Sequence, residues 1–396
     1  MKTFILLSDI HACNVDPEKW DAPSFVSSNN RKPNSRTDPI MGLDDFLEQE
    51  QIKPDYILCA GDITNRSEPT AFTYVWQKLH NLSDKHGAKL ISTVGNHDLD
   101  SRFKENKFDP RGFAMSMTPK IPIDEREQYL EFWAENFTII HGDDCNLIVL
   151  NTAAYHGYGK ETETEVEHGR ISDVTISKIE EALRAAPSAN INILLCHHHP
   201  IKDQGDSDLV GQTRGGEQLV EALENADSTW IIIHGHKHIP DLFYGHGGGN
   251  SPVVLGCASF SAQVTDSNHS NPNQFHLLTC VGDVSGIDGS VSSAGTVKSW
   301  NWIPGAGWAK AAGLAGLPHE AGFGYRGNPK GLASKVEAYL QTLEEPRAKW
   351  SEVVAQVPQL SWLTPKDFAK LETALSSKNI AILRGRSSEY LQVGIS

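Results

Sequence analysis

Five times in the first 240 residues, an apolar strand-like run ends in a cluster of Asp, His, Asn and Gly. Thr3–Leu7 leads into Asp9-Ile10-His11, Tyr56–Ala60 into Gly61-Asp62, and Lys89–Val94 into Gly95-Asn96-His97-Asp98. Ile191–Cys196 leads into His197-His198-His199-Pro200, and Trp230–Ile233 into His234-Gly235-His236-Lys237-His238. In an open α/β sheet the C-terminal ends of the strands form one edge, where loops converge and ligands bind. The chain is thereby restricted to folds that orient these strands alike and gather the five clusters around one point.

Amphipathic stretches separate the runs. Gly42–Gln49, Thr70–Leu82, Tyr129–Asn136, Asp173–Ala185 and Glu217–Leu223 carry helical spacing, and Ser172 can cap the fourth by accepting from a free first-turn N–H. Strands alternating with helices predict an α/β fold with parallel strands and helices outside. From Trp230 to about residue 302 strands dominate, which suggests a second sheet stacked on the first. Residues 99–125 read as a long functional loop, and the Gly/Ala-rich residues 304–331 as a linker or irregular wrap. Thr364-Pro365 is a helix start, and Leu332–Leu343, Ala348–Val357 and Asp367–Leu375 have helical spacing. The expected division is a catalytic domain over 1–300 and a mainly helical extension over 301–396, for docking or oligomerisation.

No apolar run approaches the ~20 residues of a membrane helix. The apolar start, Met1–Leu7, is shorter than the roughly 7–15 residues of a signal-peptide core, and reads as a buried strand. Six scattered cysteines without a CxxC pair indicate a reducing cytoplasm. The net charge is −15, but residues 290–396 hold twelve Lys/Arg against eight Asp/Glu, leaving the main body at −19. Such a body is a poor nucleic-acid surface.

Carboxylate, imidazole and amide oxygens suit Mn, Fe or Zn rather than soft-metal thiolate chemistry. Asp-x-His and His-x-His put alternate side chains on one side of an extended segment. Asp9-x-His11, Gly61-Asp62, Gly95-Asn96-His97-Asp98, the His197 cluster and Gly235-His236-x-His238 resemble the motif set of the calcineurin-like metallophosphoesterases. The resemblance covers about residues 1–280, and the triple-His-Pro segment is closest in style to class III cyclic-nucleotide phosphodiesterases.

The resemblance implies a four-layer α/β/β/α sandwich of two stacked mixed sheets. It also implies two divalent or mixed-valence ions of the Mn/Fe/Zn type. Asp9, His11, Asp62 and His238 would hold one, and Asp62, Asn96, His197 and His236 the other, with Asp62 bridging. His97, beside the scissile bond, would be a general acid or phosphate-orienting donor. Spacing leaves His198 open as the alternative to His197. Two such ions, two carboxylates and a bridging hydroxide nucleophile leave roughly one positive charge to attract a phosphate ester.

The implied activity is phosphodiester hydrolysis on a small, cyclic-nucleotide-like substrate. The alternatives are an SbcD-like nuclease, which the acidic body disfavours, and a non-catalytic scaffold, which normally loses ligand positions that are all filled here. Secondary candidates have plainer readings beside the functional one. Arg102, Lys104, Lys107 and Arg111 could clamp a phosphate or form a solvated loop face. Phe103, Phe108, Phe113, Tyr155 and Tyr158 could stack a base or pack ordinarily. Glu161–Glu167 reads as a solvated flap. His198 and His199 read as supporting residues, His234 as structural, His141, His156 and His168 as surface or loop residues, and Asp98 as a holder of the His97 loop or a cap.

Overall fold

The computed structural model describes the chain except residues 20, 102–105, 107, 158–166, 203–210, 227, 246–249, 264–270, 286–290, 313–314, 386–388 and 396, and the side chains of 283–285, 291 and 292. The elements run β1 (Lys2–Leu7), α1 (Pro39–Gln49), β2 (Tyr56–Cys59), α2 (Pro69–His86), β3 (Lys89–Ser92), α3 (Pro110–Ser116), α4 (Arg126–Glu135), β4 (Phe137–Gly142), β5 (Cys145–Leu150), α5 (Asp173–Ala185), β6 (Ile191–Leu195), α6 (Gly216–Glu224), β7 (Ile231–His234), β8 (Asp241–Tyr244) and β9 (Val253–Gly256). There follow β10 (Gln274–Ser285), β11 (Val291–Ile303), β12 (Gly307–Lys310), β13 (Glu320–Phe323), α7 (Pro329–Leu340), β14 (Arg347–Lys349), α8 (Trp350–Gln356), a 3-10 turn (Pro358–Trp362), α9 (Pro365–Ser376), β15 (Ile380–Arg384) and β16 (Tyr390–Ile395).

Local chemistry sets the helix ends. Asp38 accepts from the N–H groups of Ile40 and Met41 ahead of Pro39 at the first turn of α1. Glu68 does the same for Thr70 and Ala71 in α2, which ends at Gly87 in the left-handed region. Ser172 caps α5 by accepting from Thr175 N–H at 3.1 Å.

The first sheet has the order β12-β11-β10-β1-β2-β3, with β13 also on β11. β1, β2 and β3 are parallel, and β10 is antiparallel to β1. The second sheet has the order β4-β5-β6-β7-β9-β8, parallel except at its two edges. Alternation divides the faces of the second sheet. Ile193, Leu195, Ile231, Ile233, Val253 and Leu255 join the core shared with the first sheet. Leu194, Cys196, Ile232 and Val254 pack with Ile176, Ile179, Leu219 and Leu223 of α5 and α6. Phe72, Val75 and Trp76 of α2, with Leu43 and Leu47 of α1, cover the other side of the first sheet. The result is a four-layer sandwich of two stacked mixed sheets.

Three sequence expectations are corrected. The late stretch is divided between the sheets: β7, β8 and β9 complete a second sheet that β4, β5 and β6 begin, whereas β10–β13 extend the first. The segment 99–125 contains α3, and the segment 304–331 contains β12 and β13, so neither is irregular throughout. The extension has its own core, from Leu332 and Val336 to Leu371 and Val393. Its helices overlap the expected stretches, with α7 and α9 each beginning two or three residues earlier, and a three-stranded sheet, β14-β16-β15, accompanies them. β4 and β15 lie partly at the surface and lack a clear buried alternation: β4 ends in exposed His141 and Gly142, and β15, though mostly apolar, is buried mainly at Ile380.

Candidate metal centre between the sheets

The loops after β1, β2 and β3 bring Asp9, His11, Asp62, Asn96 and His97 from the first sheet, and those after β6 and β7 bring His197, His236 and His238 from the second. Asp9, His11, Asp62, His236 and His238 all have positive φ, at 50°, 50°, 50°, 81° and 56°. Such strain in non-glycine residues persists only where the surroundings enforce it, and it clusters at functional sites. Two glycines permit the close approach. A Cβ on Gly95 would overlap Asp62 Oδ1, and one on Gly235 would overlap Ser8 Oγ.

The side chains form two groups that share one oxygen. In the first, His11 Nε2 lies 3.1 Å from His238 Nε2 and 3.7 Å from both Asp9 Oδ1 and Asp62 Oδ2, while His238 Nε2 is 3.3 Å from Asp9 Oδ1. In the second, His197 Nε2 lies 3.2 Å from the same Asp62 Oδ2 and 3.1 Å from Asn96 Oδ1, which is 3.1 Å from His236 Nδ1. Donors about 2.0–2.2 Å from one ion stand roughly 3–3.5 Å apart, so the spacing is that of neighbouring ligands.

The tautomers point the same way. His197 Nδ1 donates to Ala60 O at 2.7 Å, and His236 Nε2 donates to Glu167 O at 3.1 Å. A carbonyl can only accept, so in the neutral rings His197 Nε2 and His236 Nδ1 are bare lone pairs. They face the oxygens of Asp62 and Asn96. Acceptors converging on acceptors repel unless positive charge lies between them, a proton on His197 Nε2 or a metal ion in its place, and the donor set fits a metal pair.

The electrostatics agree. Burial opposes ionisation of Asp9 and Asp62, yet the surrounding imidazoles, His238 and His11 for Asp9 and His197 and His97 for Asp62, hold both carboxyls well below the usual range. Burial disfavours a charged His197, but Asp62 and Asp9 hold it up at about 9, so the centre demands positive charge. Burial leads in pushing His97 down to about 3.

His97 donates its backbone N–H to Asp62 Oδ1 at 2.7 Å, and its Nδ1 is 3.1 Å from Asn65 Oδ1. Asp98 accepts from Thr64 N–H and Gly95 N–H, both at 2.9 Å, tying the second and third loops together. Burial and Asp62 raise its carboxyl to about 7.

His197, rather than His198, faces Asp62 and Asn96. His198 is fully buried behind it, and His199 and His234 are buried nearby. His141 is exposed, and half-buried His168 contacts Gln212 O. His156 lies in a loop as expected but not at the surface: it is 1 % exposed, stacks on His198, and its Nε2 meets His168 O at 2.9 Å. Arg111 is not aimed at a phosphate; it binds the Ala154 and Trp133 carbonyls. Phe113 packs near Phe72, Tyr155 lies under Arg170, and Phe108 is 96 % exposed. Arg102, Phe103, Lys104, Lys107, Tyr158 and residues 161–166 lie outside the described residues.

Four supporting residues escape a reading of the motifs. Ser8 Oγ donates to Asp9 Oδ2 at 2.6 Å, Ser259 Oγ donates to Asp9 O at 2.7 Å, Asn65 meets His97, and Thr152 meets His198. Ser8 and Asn65 could be suspected from adjacency to the motifs. Ser259 and Thr152 have no local signal.

A family model described as calcineurin-like phosphoesterase matches residues 2–240. A second, described as wHTH-Calcineurin_assc, matches residues 321–377. Over 193 residues the chain is 25% identical to a cAMP/cGMP dual specificity phosphodiesterase of Mycobacterium tuberculosis, covering 48% of this chain and 51% of that relative. Over 192 residues it is 24% identical to a 3',5'-cyclic adenosine monophosphate phosphodiesterase of Vibrio vulnificus, covering 48% and 54%. The chain spans about half the length of the curated relatives it matches. A dimetal phosphatase of Danio rerio is similar with a TM-score of 0.49 and 11% identity, over 76% of this chain and 96% of that one.

Proposed function

Since the chain belongs to the calcineurin-like phosphoesterase family, we propose that it is a metal-dependent phosphodiesterase acting on a small, cyclic-nucleotide-like ester. The observation that carries the reading is Asp62 Oδ2, which lies 3.7 Å from His11 Nε2 and 3.2 Å from His197 Nε2 and so belongs to both ligand groups. Asp9, His11, Asp62 and His238 would hold one divalent cation of the Mn/Fe/Zn type, and Asp62, Asn96, His197 and His236 a second. Such a pair supplies Lewis-acid activation of water and neutralises phosphate charge.

The chain's own groups do the rest. Asn96 contributes an uncharged oxygen, where a third carboxylate would lower the attraction for an anion. Ala60 O and Glu167 O fix the tautomers of His197 and His236. His97 is held beside Asp62 by its own N–H and by Asn65. It enters neutral, and an arriving phosphate anion favours its protonation. The proton can then pass to the leaving oxygen.

Two considerations favour a small diester over a polynucleotide: the main body carries −19, and the relatives are named for cyclic nucleotides. For the extension we propose a docking or oligomerisation role, and a division between Phe323, the end of the first sheet, and Pro329, the start of α7. Buried free cysteines accord with the proposed cytoplasmic location, and no helix among the described residues is long and apolar enough to cross a membrane.

One metal-loaded preparation should be assayed against cAMP, cGMP, single-stranded DNA and p-nitrophenyl phosphate. Preferential hydrolysis of a cyclic nucleotide, abolished by chelation and restored by Mn²⁺, is the expected result. A preference for DNA would replace the reading with the nuclease alternative.

A further inference from the structure

Beside the second ligand group stands an imidazole with a free nitrogen. His198 is fully buried, and its ring centroid is 4.8 Å from that of His197 and 4.4 Å from that of His236. A ring nitrogen of each of the three lies within 4.8 Å of the others. His198 Nδ1 is 2.9 Å from Thr152 Oγ1, which also accepts from the His198 backbone N–H at 3.1 Å. Its Nε2 is buried with no hydrogen-bond partner among the described residues. A buried polar atom left so is rare in folded proteins and calls for an explanation.

The ring has little room to turn away. His156 stacks on it at 5.2 Å with planes 20° apart, and a Cβ on Gly169 would come within 2.6 Å of His198 Cβ. Thr152, His156 and Gly169 therefore hold the imidazole against two others already aimed at the same point.

We propose that His198 is a fifth protein ligand of the second cation, joining Asp62, Asn96, His197 and His236; this rests on the two-cation reading above. Thr152 is then its positioning residue. The two sites become chemically unequal. The first offers two imidazoles and two carboxylates, and the second three imidazoles, one carboxylate and one amide oxygen. Imidazole suits Zn and Fe, whereas carboxylate suits Mn. The second site is then the nitrogen-preferring one.

The test uses the full chain, stripped by chelation and titrated with Co²⁺. Bound cobalt is counted by elemental analysis after gel filtration, and the visible d–d spectrum is recorded. The wild-type chain should bind two ions. His198→Gln should weaken one site by about 100-fold or more and change its spectrum while leaving the other site unchanged. Thr152→Val, which keeps the ligand but frees its ring, should weaken the same site by about 10- to 100-fold. Circular dichroism checks that each apo variant is folded. If His198→Gln does not fold, Thr152→Val decides by the same criteria.

A folded variant with two wild-type affinities and an unchanged spectrum overturns the proposal, as does equal weakening of both sites. A wild-type chain binding fewer than two cobalt ions overturns the two-cation reading instead.

Discussion

Single atoms separate roles that residue types leave merged. Asp62 offers Oδ2 to both ligand groups and Oδ1 to the His97 backbone N–H. Asp62→Ala should therefore remove metal and hydrolysis together. His97→Ala should keep its metal, counted by elemental analysis, while turnover falls about 10²- to 10⁴-fold. Equal metal loss in both variants would contradict the separation.

His276 on β10 is fully buried, with Nδ1 2.8 Å from Ser299 Oγ and Nε2 accepting from Ala258 N–H at 3.4 Å. Burial pushes its pKa down to about 3. The folded protein keeps the ring neutral while the unfolded chain takes a proton below about 6.5. The stability contribution is thus complete above about 6.5 and is lost as the pH falls toward 3, at up to about 1.4 kcal/mol per pH unit. His276→Asn should lower the urea midpoint at pH 7 yet shrink its fall between pH 7 and 5. An undiminished fall would show that other groups dominate.

At the scale of elements, a helix cap and backbone bonds between distant segments hold the parts together. Ser172 Oγ accepts from Thr175 N–H at the start of α5, whose Ile176 and Ile179 cover the second sheet. Ser172→Ala should cost about 1 kcal/mol, read as a lower urea midpoint with an unchanged slope. The extension is joined to the body by backbone bonds from Gly322 N–H to Leu363 O and from Tyr325 N–H to Trp362 O, both 3.0 Å. These are pairings between segments about forty residues apart, and they make β13 continuous with the extension although the first sheet also claims it.

For the molecule as a whole, the centre is a seam. One sheet supplies Asp9, His11, Asp62 and Asn96, and the other supplies His197, His236 and His238, so a cation bound as proposed would link the two halves of the sandwich. A ligand bound only by the folded state stabilises it by about 2.7 kcal/mol at a hundred times its dissociation constant. Adding a chelator should lower the melting temperature of the wild-type chain and leave that of Asp62→Ala almost unmoved. An equal drop in both would assign the effect to some other site.

The strands β1, β2, β3, β5, β6 and β7, most of the helices and the chemistry-bearing positions were legible in the amino-acid order, because hydrophobic period, capping residues and polar strand ends are local properties. Thr3–Leu7 and Asp9-Ile10-His11 needed no partner to be read. Long-range contact decided the remainder. Which sheet β10 joins depends on its pairing with β1, some 270 residues earlier. Which nitrogen of His197 faces the centre depends on Ala60 O, 137 residues away. A histidine's spacing says nothing of its tautomer, and an isolated strand says nothing of its neighbour. Both are set by partners that only the folded chain brings within hydrogen-bonding reach.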